Sequence, residues 1–348
     1  MESIAVFVPN WIGDVVMATP AIRALRRHLP EAHLIAVGRP YVADVLAGAP
    51  WIDEFLPCDK KSWTASRTLR QRNVQLAILF PNSFRSALTA WMGNCRRRVG
   101  YSRYGRGLLL TDRLQPVRND RGRLIPSPII HEYNRLVEVV GVSSPGHHME
   151  LFTLAADREQ ALGTWQKFQF QGSEVIGLNP GAAFGAAKFW PIAHFARLAQ
   201  MLTDRRGARV LVLCGPKETE LARQIVAKAQ RPTVQSIADE KLSLGFTKAL
   251  VQRLDLLVTT DSGPRHFAAA FGQPVVTLFG PTHIAWTETY HPQAIHLQKA
   301  VPCGPCQLRV CPLDHRCMRD LLPGEVYAAC EELLHRNSTT QPRGRHAS

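Results

Sequence analysis

The stretch Leu254–Gly280, LDLLVTTDSGPRHFAAAFGQPVVTLFG, decides the predicted fold. Two apolar runs, LLVTT and VVTLF, have the length of buried strands, and the small-residue segment between them has the pattern of a helix. Strands and helices in immediate alternation are typical of parallel sheets covered by helices on both faces. Loops that follow such strands meet at one edge of the sheet and bind ligands there, so DSGPRH at Asp261–His266 predicts a binding loop.

The same alternation of apolar runs and amphipathic segments occurs in both halves of the chain. We predict strands at Ile4–Pro9, Leu34–Gly38, Leu76–Phe80, Val175–Pro180, Arg209–Gly215, Leu256–Asp261 and Val275–Gly280. Two series of this kind in 348 residues predict two Rossmann-like α/β domains facing a cleft. We expect the first domain at 1–165, the second at 166–336 with a Cys-rich segment at 303–317, and a disordered polar tail at 337–348.

The composition is that of a soluble globular protein, with 45% hydrophobic and 20% charged residues. The amino-terminal sequence MESIAVFVPNW lacks the features of a signal peptide, and no apolar run has the length of a membrane span. These observations predict a cytoplasmic protein that is at most peripheral to a membrane.

The charge is strongly positive, since 42 Lys and Arg side chains face 28 Asp and Glu side chains. Much of the excess lies between Arg85 and Arg123, which contains ten Arg, no Lys, and only Asp112 and Asp120 as acids. Such a segment attracts polyanions, namely nucleic acid, anionic lipid or a phosphorylated substrate, or is a solvated face without a specific partner. Its all-Arg composition favours specific phosphate recognition, because the guanidinium group binds phosphate with two hydrogen bonds.

Two common nucleotide-binding patterns are absent from the sequence. The loop after the first strand, NWIGD, has one glycine, Gly13, where a dinucleotide fold needs three. The loop NPGAAFGAAKFWP has Gly185 three residues before Lys188 and no Ser or Thr directly after it, so it is not a P-loop. Dehydrogenases and P-loop ATPases are therefore not supported.

Five loops in order along the chain resemble one known family. The loops are PNWIGD (Pro9–Asp14), PNSFRSAL (Pro81–Leu88), NPGAAFGAAKFWP (Asn179–Pro191), CGPKE (Cys214–Glu218) and DSGPRH. Between Ile4 and Thr282 the sequence resembles the ADP-heptose:lipopolysaccharide heptosyltransferases, glycosyltransferases of GT-B fold, and most closely their heptosyltransferase II branch. The resemblance implies an inverting transfer of heptose from ADP-heptose to the inner core of lipopolysaccharide, with no cofactor.

The resemblance implies a role for Asp14 as the catalytic base. An attacking hydroxyl must lose its proton, and a carboxylate within hydrogen-bond reach is suited to accept it. The alternative is that Asp14 caps the helix that follows, although Thr19 and Pro20 offer a better helix start.

The resemblance also implies a donor site for the ADP-sugar. Lys188 would hold the diphosphate and stabilise the leaving group, or else be a surface lysine. Small residues before it favour the phosphate role, because they let backbone amides approach closely. The further implied donor-binding residues are Gly13, Gly181, Glu218, Leu242, Asp261, Ser262, Gly263 and His266. Glu218 is assigned to the ribose with Glu220 as an alternative, while Leu242 and His266 have structural roles as alternatives.

The implied acceptor is a heptosyl-Kdo-lipid A, which is anionic and membrane-bound. The candidate acceptor-binding residues are Asn82, Ser83, Arg85, Arg98 and Arg103. This acceptor places the enzyme at the inner face of the inner membrane, in peripheral contact with anionic lipid.

Four cysteines fall close together as CGPCQLRVCPLDHRC, at Cys303, Cys306, Cys311 and Cys317. We consider three interpretations: a structural zinc site, redox-labile thiols, and cysteines that only pack. A structural disulfide is disfavoured in a cytosolic protein. The other cysteines, Cys58, Cys95, Cys214 and Cys330, stand singly and are predicted to lie in the core.

Two further functions remain open at this point. A related ADP-sugar glycosyltransferase with another acceptor would share the donor loops. A basic nucleic-acid-binding protein would share the high charge and the cysteines, but it would leave Asp14, Lys188 and the DSGPRH loop without a role. We therefore expect no nucleic-acid partner.

Overall fold

The computed structural model describes residues 2–59, 63–122 and 124–340, and the chain divides into two compact units. Unit 1 comprises Met1–Phe152 and Ala285–Tyr290, and unit 2 comprises Thr153–Ile284 and His291–Ser348. The predicted boundary at residue 165 falls inside the helix Ala155–Lys167, which packs on the helix Leu244–Arg253 of unit 2. The boundary therefore lies earlier than predicted. The strand pattern of the sequence is already lost after Pro145, before this helix begins.

Unit 1 is a six-stranded parallel sheet with helices on its faces. Its strands are β1 (Ser3–Phe7), β2 (His33–Gly38), β3 (Glu54–Pro57), β4 (Leu76–Leu79), β5 (Arg97–Tyr101) and β6 (Asp112–Leu114). Its helices are α1 (Ile12–Met17), α2 (Thr19–His28), α3 (Ala43–Leu46), α4 (Trp63–Gln71), α5 (Phe84–Met92) and α6 (Ile129–Glu138). Short 3₁₀ turns span Pro40–Val42 and Arg106–Leu109.

Unit 2 is a second six-stranded parallel sheet. Its strands are β7 (Val175–Asn179), β8 (Arg209–Val212), β9 (Val234–Ser236), β10 (Leu256–Thr260), β11 (Val275–Phe279) and β12 (Ala294–Gln298). Its helices are α7 (Ala155–Lys167), α8 (Ile192–Arg206), α9 (Thr219–Ala229), α10 (Leu244–Arg253), α11 (Gly263–Ala270), α12 (Arg316–Arg319) and α13 (Pro323–Thr340). A 3₁₀ turn at Ala186–Lys188 follows β7. The predicted tail at 337–348 begins inside α13, and positions 341–348 lie outside the described residues.

The two sheets have the same connectivity. Unit 1 has the strand order β3-β2-β1-β4-β5-β6, and unit 2 has the order β12-β11-β10-β7-β8-β9, which is the same pattern read from the other edge. In this Rossmann order the direction of winding reverses between the first and fourth strands, and ligands bind at the carboxyl ends of those two strands. The expected binding sites therefore follow β1 and β4 in unit 1, and β7 and β10 in unit 2.

The predicted strands are all present, within a few residues at their ends. The strands that the sequence did not reveal are β3, β5, β6, β9 and β12. Four of these are the outer strands of the two sheets, where the side chains are half-exposed and the apolar run that marks a buried strand is missing. The fifth, β5, begins with two arginines inside the basic segment.

The helix that was predicted to start with a Thr19 cap starts differently. Thr19 and Pro20 are the first two residues of α2, and Ala18 occupies the cap position. The Thr19 hydroxyl donates to the Val16 carbonyl at 2.7 Å and accepts from the Glu150 amide at 3.1 Å. Thr19 thus joins α1, α2 and a distant segment of unit 1 instead of capping a helix.

The segment Ala285–Tyr290 belongs to unit 1 although both of its flanks belong to unit 2. Within unit 1, the Tyr290 ring stacks on the rings of His147 and His131, with centroid separations of 4.4 and 5.4 Å. Stacked rings of this kind stabilise the fold by more than the burial of their apolar area alone would. Over the described ranges, none of the helices combines the length and the apolar character that crossing a membrane requires.

The structure predicts opposite effects on stability for a glycine-to-alanine substitution at two positions, Gly177 and Gly163. A Cβ on Gly177, in the buried strand β7, would lie 2.3 Å from Leu254 Cδ1, whereas a Cβ on Gly163 in α7 would meet no atom within 4 Å. We expect Gly177→Ala to lower the free energy of unfolding by about 1 to 3 kcal/mol through overpacking. Gly163→Ala should instead raise it by about 0.5 to 1 kcal/mol, because alanine is the better helix former. Urea denaturation of both variants tests this, and equal effects would contradict the packing described here.

Candidate functional site

The loops after β7 and β10 meet around one buried carboxylate in unit 2, that of Asp261. Lys188 Nζ donates to Asp261 Oδ2 at 2.5 Å and to the Asp261 carbonyl at 2.9 Å. Arg265 Nη1 donates to the other carboxylate oxygen at 3.2 Å, and the Thr282 hydroxyl donates to Oδ2 at 2.7 Å. All four residues are buried. We call Lys188, Asp261 and Arg265 the charge cluster.

The charge cluster sets the ionisation of its carboxyl group. Burial alone would raise the pKa of Asp261, but the positive charges of Lys188 and Arg265 and their hydrogen bonds outweigh it and hold that pKa well below its usual range. Asp261 is therefore ionised, and two cations share one anion. The cluster carries an excess of one positive charge in a buried position.

A helix amino terminus lies directly beside the charge cluster. The helix α11 begins at Gly263 with Pro264 in its first turn, and Ser262 occupies the cap position. The Ser262 hydroxyl does not cap the helix but accepts from Asn179 Nδ2 at 2.9 Å. Pro264 has no amide hydrogen and the Arg265 amide donates to the Ser262 carbonyl at 3.3 Å, so the Gly263 amide is the first-turn donor that remains for an anion, which the helix dipole also favours.

The loop after β7 approaches the same place through small residues. The Thr260 hydroxyl donates to the Gly181 carbonyl at 2.6 Å, and a Cβ on Gly181 would lie 2.1 Å from Glu218 Oε1. Glu218 also accepts from the Gly215 amide at 2.9 Å. A side chain at position 181 would displace this carboxylate, so the glycine is required by a close approach. The structure thus brings together five of the predicted donor residues, namely Gly181, Lys188, Glu218, Asp261 and Ser262.

His266 and Leu242 occupy different surroundings in unit 2. His266 is buried in α11, and burial, together with the nearby Arg265 charge, lowers its pKa well below the ordinary value. Its Nδ1 atom makes no hydrogen bond within the described part of the chain. Leu242 is half-buried and immediately precedes Ser243, the cap residue of α10, so it is not a core leucine.

Unit 1 contains a cavity of about 300 Å³ at the carboxyl ends of β1 and β4, where the direction of winding reverses. Asp14 lies in the first turn of α1, after β1, while Asn82 and Ser83 follow β4, and all three line the cavity. The alternative that Asp14 caps a helix is not supported, because Trp11 holds the cap position of α1. The remaining lining includes Asn10, Trp11, Tyr101, Arg103, Glu132, Tyr133 and Trp286.

Asp14 interacts electrostatically with Tyr133, which also lines this cavity. Burial raises the pKa of the Tyr133 hydroxyl, and the negative charge of Asp14 raises it further. Tyr133 therefore remains protonated beside Asp14 over the physiological range and is a hydrogen-bond donor there. Gly13, a predicted donor residue, lies beside Asp14 in α1 of unit 1.

A buried arginine fixes the loop that forms one wall of the cavity. Arg106 donates to the carbonyls of Pro81 and Tyr101 and to Asn82 Oδ1, the last two at 2.8 and 3.0 Å. Its side chain is inaccessible to solvent, and burial lowers its pKa to about 10. Among the described residues, no acidic side chain forms an ion pair with it. Arg106 therefore remains a cation that only dipoles stabilise, close to Arg103.

Two of the predicted acceptor residues lie outside this cavity. Arg98 donates to the carbonyls of Cys95 and Leu109 at 2.5 and 2.6 Å, which stabilises the turn beside β5. Arg85 is exposed on α5. Only Asn82, Ser83 and Arg103 of the predicted set contribute to the lining. The assignment of Arg98 to the acceptor is therefore corrected to a structural role.

The four clustered cysteines surround a much smaller cavity of about 20 Å³ in unit 2, together with Asp314 and His315. All four are free thiols, and Cys317 is the buried one. In the ranges that the structure describes, no three His, Cys, Asp or Glu side chains are arranged to hold a metal ion. The predicted zinc site at Cys303, Cys306, Cys311 and Cys317 is thus not supported. His315 instead donates from Nε2 to the Ala187 carbonyl at 2.7 Å, beside Lys188.

Comparison with known proteins gives the family. Residues 63–316 match Glycosyltransferase family 9 (heptosyltransferase). The chain belongs to this family. It is therefore a glycosyltransferase.

Individual relatives cover almost the whole chain. The lipooligosaccharide heptosyltransferase 2 of Campylobacter jejuni is 27% identical over 95% of this chain and 98% of its own length. The lipopolysaccharide heptosyltransferase 1 of Pseudomonas aeruginosa is 31% identical over 86% of this chain and 84% of its own. The solved structure of the Escherichia coli ADP-heptose lipopolysaccharide heptosyltransferase II is similar with a TM-score of 0.80 at 25% identity, covering 97% of this chain and 100% of that one. The predicted GT-B fold is confirmed.

Sequence reasoning missed several residues that build the two sites of this glycosyltransferase. Arg265 lies inside the quoted DSGPRH loop, and its charge beside Asp261 could have been used as a signal. Asn179 ends β7 and could have been inferred from its position. Arg106 belongs to the basic segment that was predicted to bind anions, but its buried role could not be predicted, because nothing in the sequence tells a buried guanidinium from an exposed one.

The charge cluster predicts a stability effect of Lys188→Ala. The substitution leaves Asp261 buried with one cation instead of two, and we expect a loss of about 3 kcal/mol in the free energy of unfolding. The matched control is Lys167→Ala, which removes an ion pair of 2.6 Å with Glu240 on the surface and should change stability little. Urea denaturation at neutral pH compares the two, and equal losses would contradict a buried role for Lys188.

The depressed pKa of His266 predicts a pH-dependent stability. Below the ordinary histidine pKa the unfolded chain binds a proton that folded His266 does not, so this contribution is fully present above about pH 6.5 and is lost as the pH falls. When the pH is lowered from 7.5 to 5.5, the free energy of unfolding of His266→Gln should fall by about 1 kcal/mol less than that of the parent protein. His28→Gln, at an exposed position, is the control and should follow the parent. Identical pH profiles for the parent and His266→Gln would show that His266 is not held neutral.

Proposed function

We propose that this glycosyltransferase transfers heptose from ADP-L-glycero-D-manno-heptose to the inner-core heptose of lipopolysaccharide, with inversion at the anomeric carbon. The observation that carries the proposal is its near full-length similarity to proteins named heptosyltransferase 2. The acceptor in this proposal is a heptosyl-Kdo-lipid A. No metal ion or cofactor is assigned to the transfer step.

The donor half of the proposal rests on the charge cluster. A diphosphate would lie against Lys188 and the Gly263 amide at the start of α11, where the excess positive charge of the cluster and the helix dipole both favour an anion. Negative charge on the diphosphate increases as its bond to the sugar breaks, so these groups stabilise the transition state more than the bound donor. Glu218, beside Gly181 and Gly215, is suited to accept hydrogen bonds from ribose hydroxyls.

The acceptor half rests on the cavity of unit 1. Asp14 would take the proton from the attacking hydroxyl as the new glycosidic bond forms and the bond to ADP breaks, so the proton ends on the carboxylate and the electron pair on the diphosphate. The cations Arg103 and buried Arg106 offset the two carboxylates of the lining, Asp14 and Glu132, and Arg103 is suited to bind a carboxylate of an anionic acceptor such as one that carries Kdo. The side chains of Asn82 and Ser83 are available to bind acceptor hydroxyls.

The acceptor also implies a location. Heptosyl-Kdo-lipid A is anchored in a membrane by its acyl chains, so the proposal places the enzyme in the cytoplasm, in peripheral contact with the inner face of the inner membrane. The positive charge of the protein agrees with an anionic surface. Nucleic acid has no part in this proposal.

The test is the transfer reaction itself, with Asp14→Asn as the decisive variant. We expect the parent protein to add the mass of one heptose to heptosyl-Kdo-lipid A, measured by mass spectrometry. Asp14→Asn should lose about a hundredfold or more in turnover while it still binds ADP, because the amide cannot accept the proton. Asp44→Asn is the matched control, since Asp44 also lies in the first turn of a helix of unit 1 but outside the cavity.

Each alternative gives a different result. Near-normal turnover in Asp14→Asn would remove Asp14 as the base. A parent protein that transfers an ADP-linked sugar only to a different acceptor would keep the donor half and overturn the acceptor half. No transfer to any acceptor, together with binding to nucleic acid at physiological salt, would favour the nucleic-acid function instead.

A further inference from the structure

The helices α4 and α5 lie side by side on one face of the sheet of unit 1 and turn large apolar side chains to solvent. The two are joined by a hydrogen bond of 3.1 Å from the Ser66 hydroxyl to the Thr89 carbonyl. The outward positions of α4 are Trp63, Arg67 and Arg70, and those of α5 are Phe84, Leu88 and Trp91. Each set has the spacing i, i+4, i+7 of a single helical stripe. We call these six residues the aromatic–arginine face.

The apolar part of this face is unusually exposed. Trp63 is 73% exposed and Trp91 is 53% exposed. Next to α5, the segment that includes the 3₁₀ turn Arg106–Leu109 adds Tyr104 and Leu108, which is 86% exposed. Isolated exposed apolar residues are ordinary, but a group of them on adjacent elements marks an interaction surface.

The segment of the chain that carries the face has charges of one sign. From Trp63 to Thr111 the sequence contains nine Arg, no Lys and no acidic residue. The structure separates these arginines by role. Arg72 and Arg97 form ion pairs with Glu54 and Asp112, whereas Arg70, Arg98 and Arg106 donate to backbone carbonyls. Arg67 and Arg85 extend from the outer surface of the helices. The face therefore combines indole and phenyl rings with guanidinium groups that form no ion pair within the part of the chain that the structure describes.

We propose that the aromatic–arginine face docks the enzyme onto an anionic lipid bilayer. Tryptophan and tyrosine rings prefer the depth of the lipid head groups, and arginine stems pack along apolar surface while their charged ends reach phosphate. The two requirements of a stable peripheral contact, buried apolar area and attraction to anionic lipid, are thus met by one surface.

A second copy of the chain is a poorer occupant for this face. In a two-fold symmetric dimer the same patch meets itself, so the arginines of one copy would face the arginines of the other. The stretch from Trp63 to Thr111 offers no carboxylate to neutralise them. A bilayer supplies phosphate groups for the arginines and an apolar interior for the rings.

The position of the face also suits the proposed acceptor. Ser83 and Arg103, which line the cavity of unit 1, are followed in the chain by Phe84 and Tyr104 of the exposed surface. A membrane-anchored acceptor would then enter the cavity beside the docked surface without leaving the bilayer. This step rests on the proposed function, whereas the docking itself does not.

The test is binding of the full chain to vesicles, with variants that remove either rings or charges. Vesicles of phosphatidylethanolamine and phosphatidylglycerol are compared with neutral phosphatidylcholine vesicles in a flotation assay. We expect the parent protein to bind the anionic vesicles, and Trp63→Ser/Trp91→Ser to lose about tenfold or more in partitioning. Arg67→Gln/Arg70→Gln should lose about tenfold to thirtyfold, because each arginine near the surface contributes about fivefold.

Matched controls come from unit 2. Leu162→Ser removes an exposed apolar side chain from α7, and Arg197→Gln/Lys228→Gln removes two exposed charges from α8 and α9. Both should bind vesicles as the parent protein does. Because all the changed side chains are at the surface, circular dichroism should show the same folded state in every variant.

Transfer assays separate the docking from the proposed function. Trp63→Ser/Trp91→Ser should act normally on a soluble short-chain acceptor and at least tenfold more slowly on the same acceptor embedded in vesicles. Vesicle binding without transfer would overturn the proposed function and leave the docking surface standing. Equal vesicle binding by the face variants and the controls would overturn the docking surface. Light scattering that shows a dimer converted to monomers by the face variants, with vesicle binding unchanged, would assign the face to self-association instead.

Discussion

The architecture of unit 2 depends on one buried anion. The carboxylate of Asp261, at the end of β10, binds Lys188 from the loop after β7, Arg265 from α11 and Thr282 from the loop after β11. Three neighbouring strand ends are thereby fixed to one another. Two cations compensate the burial of one carboxylate, so the site is held in shape by interactions that also leave it positively charged, which is the condition that an ADP-sugar site requires.

In unit 1 the loops are fixed to one another in a similar way, but by a buried cation instead of a buried anion. Here a buried cation, Arg106, ties the loop after β4 to the end of β5 through the carbonyls of Pro81 and Tyr101. Carbonyl groups carry only partial charges, so they satisfy the hydrogen-bonding capacity of the guanidinium group without neutralising it. The wall of the cavity is therefore fixed by a cation that its own contacts do not neutralise. A carboxylate in the place of these carbonyls would fix the loop equally well, but it would neutralise the guanidinium group.

The sequence predicted the interior of the molecule better than its edges. Buried strands such as β7, β10 and β11 are continuous apolar runs, and the loops after them stand out by their glycines and charged residues. The outer strands β9 and β12 gave no such signal, because half-exposed strands are selected for pairing and solubility rather than for hydrophobicity. The same limit applied to the arginines. Their number predicted an anionic partner, yet only the structure separated Arg106, which is buried, from Arg98, which braces a turn, and Arg67, which reaches solvent.

The two sheets share one strand order, so the sheets themselves do not explain why the two units differ. The difference lies in the loops that follow the first and fourth strands of each sheet, where the direction of winding reverses. After β7 and β10 the chain uses Gly181, Gly185 and the start of α11, which bring backbone amides and a lysine close together and suit a compact diphosphate. After β1 and β4 it uses Trp11, Asn82 and Ser83, with rings and amides around an open cavity that suits a larger polar acceptor. Under the proposed function, the division of labour between the two units would follow from side-chain size: small residues where phosphate must approach the backbone, and large ones where a sugar must be enclosed.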